Sequence, residues 1–154
     1  MRDLRDALKV PRTGRMQGMT TLPATDSSLL VRTDFTAGAA WQSLCAAVAT
    51  ENEDGFLAYV EIVDDANLGG TPPAELRATI LSGDANAAVL FIADATTLAA
   101  PDFPILVVDL WDEHPTFRCI ASELWAVDNN LNLGNMDWED FSGSVDSEGV
   151  YRGF

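Results

Sequence analysis

Residues 86–94, NAAVLFIAD, carry no charge before Asp94, and strand-forming apolar side chains fill their centre. A strand built from such a run has no polar side to turn toward water, so both of its faces have to be covered. The flanking sequence offers the covers. SLLVRTDF (28–35) is a short strand-like run, and TAGAAWQSLCAAVATE (36–51) then sets Ala39, Trp41, Leu44, Cys45 and Val48 on one helical stripe. GFLAYVEIVDD (55–65) predicts a second strand. TPPAELRATILSG (71–83) predicts a helix with Thr71 as its cap, prolines in the first turn, Leu76 and Ile80 on one face, and Gly83 at its end. A short Ala/Thr-rich helix around 95–100 follows the central run, then FPILVVDLWD (103–112) and TFRCIAS (116–122) as further strands. Strands alternating with helices predict an α/β fold: a single three-layer domain with a mostly parallel sheet of about five strands and right-handed crossovers.

The chain has 154 residues, of which 47% are hydrophobic, enough for one domain with a core of its own over residues 21–154. No apolar run approaches the roughly 18 residues that cross a bilayer, which predicts a cytoplasmic protein without membrane contact. Cys45 and Cys119 lie inside apolar segments without zinc-ligand spacing, so buried thiols are expected. Charge is unevenly distributed. Residues 1–20 form a basic leader with Arg2, Arg5, Lys9, Arg12 and Arg15, expected to be flexible, whereas the rest sets Arg32, Arg77, Arg118 and Arg152 against 22 of the 24 acids. So acidic a body repels phosphate, which excludes direct nucleic-acid binding by it and favours a protein partner that is basic.

Each proposed strand ends in acid: Asp34 after the first, Asp64 and Asp65 after the second, Asp94 after the third, Asp109 with Asp112 and Glu113 after the fourth. Open α/β sheets bind ligands at the carboxyl ends of their strands, so these side chains suit a hard cation such as Mg²⁺ or Ca²⁺. The same residues also suit the plainer task of capping the helices that follow. Familiar enzyme signatures are missing. Beyond the leader there is no lysine, no P-loop, no GxGxxG after the first strand and no GxSxG elbow. His114, the one histidine, stands in DEHP, where neighbouring acids favour its protonated form.

WAVDNNLNLGNMDWEDF (125–141) scatters Asn129, Asn130, Asn132 and Asn135 among apolar residues. Local turn chemistry between two short elements accounts for such amides, with Asn130 structural and Asn132 exposed, and Asp137 caps a last helix bearing Trp138 and Phe141. Recognition is the competing account, with Asn130, Asn132, Asn135, Trp138 and Phe141 forming a surface that meets a partner. The terminal VYRGF is a strand that closes the sheet's edge or extends a partner's sheet.

The segments LLVRTDF, FLAYVEIVDD, VLFIAD and NLNLGNMDWEDF, together with DSEGVYRGF, resemble a family of small acidic domains known mainly from actinobacteria and catalogued as a domain of unknown function. The likeness runs from about Thr21 to Phe154. It implies no activity, cofactor or catalytic residue, and it implies a usual start at Met19, because family members begin close to TLP. Residues and likeness together give the expectation of an acidic binding or accessory protein with no cofactor and no assigned catalysis. The alternative is a divalent-metal-dependent enzyme or metal-binding domain built on Asp34, Asp64, Asp65, Asp94 and Asp109.

Overall fold

The computed structural model describes residues 22–23, 25–83 and 86–154, so the basic leader, 1–20, lies outside the described residues. In chain order the elements are β1 (Ser28–Arg32), α1 (Gly38–Val48), β2 (Val60–Val63), α2 (Pro73–Leu81), β3 (Val89–Ala93), α3 (Ala95–Ala99), β4 (Pro104–Asp109), β5 (Phe117–Ile120), α4 (Leu124–Asn132), α5 (Trp138–Ser142) and β6 (Val150–Tyr151). Short 3-10 turns at Ala66–Leu68 and Ala121–Glu123 lead into α2 and α4.

All six strands share one sheet in the order β2-β1-β3-β4-β5-β6. The fold is α/β as expected, but the sheet is mixed. β1 pairs in parallel with β2 and β3, and β5 with β6, whereas β4 runs antiparallel to both of its neighbours. The reversal follows from chain length: residues 94–103 between β3 and β4, and 110–116 between β4 and β5, fall short of the dozen or so that a parallel crossover needs. The terminal VYRGF run supplies the sixth strand, which closes the edge beside β5.

β3 is buried along its whole length, and its side chains alternate between two apolar clusters. Val89, Phe91 and Ala93 join Leu30, Trp41, Leu44, Leu98, Leu124, Val127, Trp138 and Phe141 on the side of α1, α3, α4 and α5. Leu90 and Ile92 join Leu29, Val31, Leu68, Leu76 and Ile80 on the side of α2. Cap chemistry follows the sequence at α3 and α5, whereas α1 begins after Ala37 with no side-chain cap and Asp34 bonds Thr36 instead. Asp94 and Asp137 each form a reciprocal capping box with Thr97 and Asp140. At α2 the cap position belongs to Pro72, which offers no side-chain bond, rather than to Thr71.

Trp41 is 2% exposed in the larger cluster, and its Nε1 donates to Asp64 Oδ2 at 3.1 Å. Replacing it with Ala removes both the packing and that bond, and should cost about 3–5 kcal/mol in denaturant unfolding. Trp41→Phe, which keeps a ring, should lose clearly less.

Candidate functional site

The reversal of β4 separates the acids that were expected to converge. Asp34, Asp64, Asp65 and Asp94 follow the carboxyl ends of β1, β2 and β3, whereas Asp109 is paired with Val89 at the opposite end of the sheet. The four that share a rim are already engaged. Asp64 accepts from Arg32 Nη1 (3.2 Å) and from Trp41. Asp65 accepts from Asn67 N, and Asp34 from the Thr36 hydroxyl at 2.9 Å. Asp94 takes a two-pronged grip from Arg118, with Nη1 at 3.0 Å and Nη2 at 2.8 Å, besides capping α3. Burial alone would raise the Asp94 carboxyl, but bonds from Arg118 and Thr97 outweigh it and hold the group below its usual range. Of these four, Asp34 and Asp94 line one cavity of about 560 Å³ beside β1 and β3.

Asp109 belongs to a different cluster. Its Oδ1 accepts from the backbone N–H of Trp111 and Asp112, and its Oδ2 lies 2.6 Å from His114 Nδ1. His114 Nε2 in turn lies 2.9 Å from Glu139 on α5, and the imidazole stacks on Trp138 with centroids 5.9 Å apart. An imidazole with a carboxylate at each nitrogen is a double donor, which is the protonated form. The Asp109 contact first, and the charges of Glu139, Asp109 and Asp112 after it, raise the His114 pKa above its ordinary value. Asp109 moves the other way: burial opposes ionisation, but the bond from His114 and those from the backbone prevail and lower it. Arg77 ties the same loop down through Nε to the Asp109 carbonyl (2.6 Å) and Nη2 to the Asp112 carbonyl (2.8 Å). Ligand atoms of Asp109, Asp112 and His114 lie within 4.8 Å of one another, a compact set of two oxygens and a nitrogen. Asp109 thus groups with His114 and not with the five-Asp set, and the D-x-x-D-x-H spacing of 109–114 is the sequence signal that joins them.

The Asn segment is helix, not turn. Asn129, Asn130 and Asn132 lie in α4, whose Leu124, Val127 and Leu131 are held in the core, and only Asn135 falls in the loop beyond. Asn132, expected on the surface, is instead a four-bond tie. Its Oδ1 accepts from Ala88 N, and its Nδ2 reaches Ser28 Oγ, Asp128 O and Asp128 Oδ1, each bond at 2.8 Å. Asn130 Nδ2 donates to Ala126 O within the helix. Burial raises the Asp128 carboxyl, opposed by bonds from Tyr59 N, Ser28 and Asn132. Trp138 and Phe141 are core residues, so neither is presented to a partner: Trp138 Nε1 donates to Pro115 O, and Phe141 packs against Phe117 and Tyr151.

The exposed aromatic surface beside these amides comes from elsewhere in the chain. The 52–59 segment turns on Asn52, whose Oδ1 accepts from Asp54 N and Phe56 N, and it lays the Phe56 ring on Trp125 with centroids 5.1 Å apart and planes within 11°. Phe56, Tyr59, Trp125 and Leu133 line a groove of about 640 Å³ together with Asp128, Asn129, Asn130, Asn132 and Asn135. Phe56, Tyr59 and Leu133 are 50%, 68% and 73% exposed. Trp125 Nε1 is buried beneath this surface and has no acceptor among the described residues.

Fold and sites together define an acidic α/β domain with a mixed six-stranded sheet. The family model described as a domain of unknown function (DUF6924) matches residues 27–154, and the chain belongs to that family. No curated protein matches the chain. No helix among the described residues is long and apolar enough to cross a membrane.

The His114 bridge sets a pH window. Its contribution to stability is fully present below the ordinary histidine pKa of about 6.5 and is lost as pH rises through the raised folded value; Asp109's is lost as pH falls through its lowered one. The melting gap between the native chain and His114→Gln should therefore be widest in weakly acidic buffer and close toward alkaline pH. A gap independent of pH would assign the effect to stacking on Trp138. For Asn132→Ala, each buried group left unpaired should cost about 1–3 kcal/mol in denaturant unfolding, and Asn130→Ser should cost much less.

Proposed function

We propose that the protein is an acidic binding or accessory module that meets a basic protein partner at the groove beside α4. The carrying observation is the exposure of Phe56, Tyr59 and Leu133 around amides that face the same groove. Rigid aromatic rings beside adaptable polar groups make good anchors at small conformational cost. Asn130 and Asn135 keep the partner-binding part expected of them, Asn132 serves the groove as its fixed floor, and Phe56, Tyr59 and Trp125 replace Trp138 and Phe141 as its aromatic members. A net charge of −15 steers a cationic partner toward the body and repels nucleic acid. We read the two apolar clusters as the inner faces of three layers, and the setting as cytoplasmic.

A second reading has its own observation. The approach of Asp109, Asp112 and His114 within 4.8 Å supports a divalent cation there, in place of the five-Asp set. Mg²⁺ or Ca²⁺ suits the carboxylates, and the imidazole, once an ion displaces its proton, extends the choice to Mn²⁺. Calorimetry with each ion separates this reading from the first, which requires no site.

The binding reading is tested by placing a photo-crosslinking side chain at Tyr59 in the living cell, with Leu81 on α2 as the control position. Adducts to a basic protein should form at Tyr59 and not at Leu81. Phe56→Ala and Leu133→Ser should melt with the native chain and weaken capture about tenfold or more. Equal yields at both positions, or yields unmoved by the two variants, would refute the groove.

A further inference from the structure

The edge strand β2 continues directly out of the residues that line the groove, and it is the open side of the sheet. β2 pairs with β1 on one side, and among the described residues its outward backbone groups bond to nothing. Unlike the two-residue β6 at the far edge, it spans four residues and presents Ile62, 40% exposed. A row of free N–H and C=O groups beside exposed apolar side chains is a template for an added strand.

Charge decides what that strand is. Residues 51–65 contain Glu51, Glu53, Asp54, Glu61, Asp64 and Asp65 and no Lys, Arg or His. Of these acids, only Asp64 meets a basic side chain, Arg32, among the described residues. A second copy of the chain fits poorly here. Two-fold pairing of β2 with itself brings Glu61 and its acidic neighbours against their own equivalents, and like charges facing across a strand pair destabilise it. An extended segment of another protein, with Lys or Arg alternating with apolar residues, meets all three demands: main-chain bonds, apolar contact with Ile62, and neutralisation of the acids.

We infer that the open edge of β2 receives a basic, extended segment of a partner protein by strand addition. The inference rests on the binding reading above and adds to it the chemistry of the partner and the manner of its docking. Main-chain bonds along Val60–Val63 give affinity with little demand on sequence, while Glu61 and the 51–54 turn select for positive charge. The groove at Phe56 and Trp125 accepts whatever apolar residue ends that segment.

The test uses the full chain and three synthetic decapeptides: one alternating Lys with Val, the same peptide N-methylated on every second amide, and one alternating Glu with Val. The Lys peptide should bind and slow hydrogen exchange at Val60–Val63. N-methylation, which removes the main-chain donors and keeps the charge, should weaken binding about tenfold or more, and the Glu peptide should not bind. Glu61→Lys should weaken the Lys peptide by a similar factor without changing the melting temperature. Equal binding of the N-methylated peptide would show attraction by charge alone, and it would overturn strand addition while leaving the groove's crosslinks intact. The amides of Val60–Val63 that face β1 are protected in the free chain, so the readout is the outward-facing amides, and their protection without any peptide also overturns the inference. If it vanishes on replacing Arg2, Arg5, Lys9, Arg12 and Arg15 with Ser, the occupant is the chain's own leader; if it vanishes on dilution, the occupant is a second copy.

Discussion

β3 is the constraint from which the rest of the architecture follows. Five consecutive side chains buried on both faces require two apolar covers, and the chain supplies them from opposite sides: α2 over Leu90 and Ile92, and α1, α4 and α5 over Val89, Phe91 and Ala93. With β3 fixed in the middle, β1 has to lie beside it, and β2 is pushed out to the rim. The acidic edge and the aromatic groove are consequences of that displacement. Neither would exist if β2 had been enclosed.

The other organising feature is a tie across the sheet's lower end. Asn132 joins the helix that ends the larger core to Ser28 at the start of β1 and to Ala88 just before β3, while Asp128 of the same helix holds Tyr59 N. Three strands are thus fastened to α4 by two polar side chains, each bonded several times over. That arrangement makes a polar contact in a buried setting favourable, since no group in it is left to pay its desolvation alone. It also explains how the groove holds its shape: Asn132 and Asp128 form its floor and are themselves held by the sheet.

Sequence patterning revealed the elements far better than their directions. An apolar run such as ILVV looks the same whichever way the strand points, so the parallel order was an assumption. The connection lengths contradicted it, because residues 94–103 hold only a five-residue helix and cannot carry a crossover. That one reversal is why Asp109 left the expected acidic rim and joined His114 and Glu139. The Asn segment misled for another reason. Asn is a weak helix former and a strong turn former, but three apolar contacts and a bond to a residue 104 positions away outweigh that local preference. No local signal encodes such a partner. Trp138 and Phe141 were expected on a recognition surface, yet their three-residue spacing on one helix suits a buried stripe equally well, and burial is what the structure shows.

Burial of β3 in the native state has a counterpart during synthesis and after heat shock. Until β1, β4 and the helices have gathered around it, VLFIA is an uncharged, strongly strand-forming run, the sort of segment that seeds aggregates of unfolded chains. Asp94 is the charge that flanks it immediately, and one gatekeeper is thin protection. The excess of acid spread through the remaining chain supplies the rest, since unfolded copies that carry the same strong charge repel one another before these runs can meet. A surface that attracts a cationic partner when folded thereby also keeps the polypeptide dispersed while it is still finding its fold.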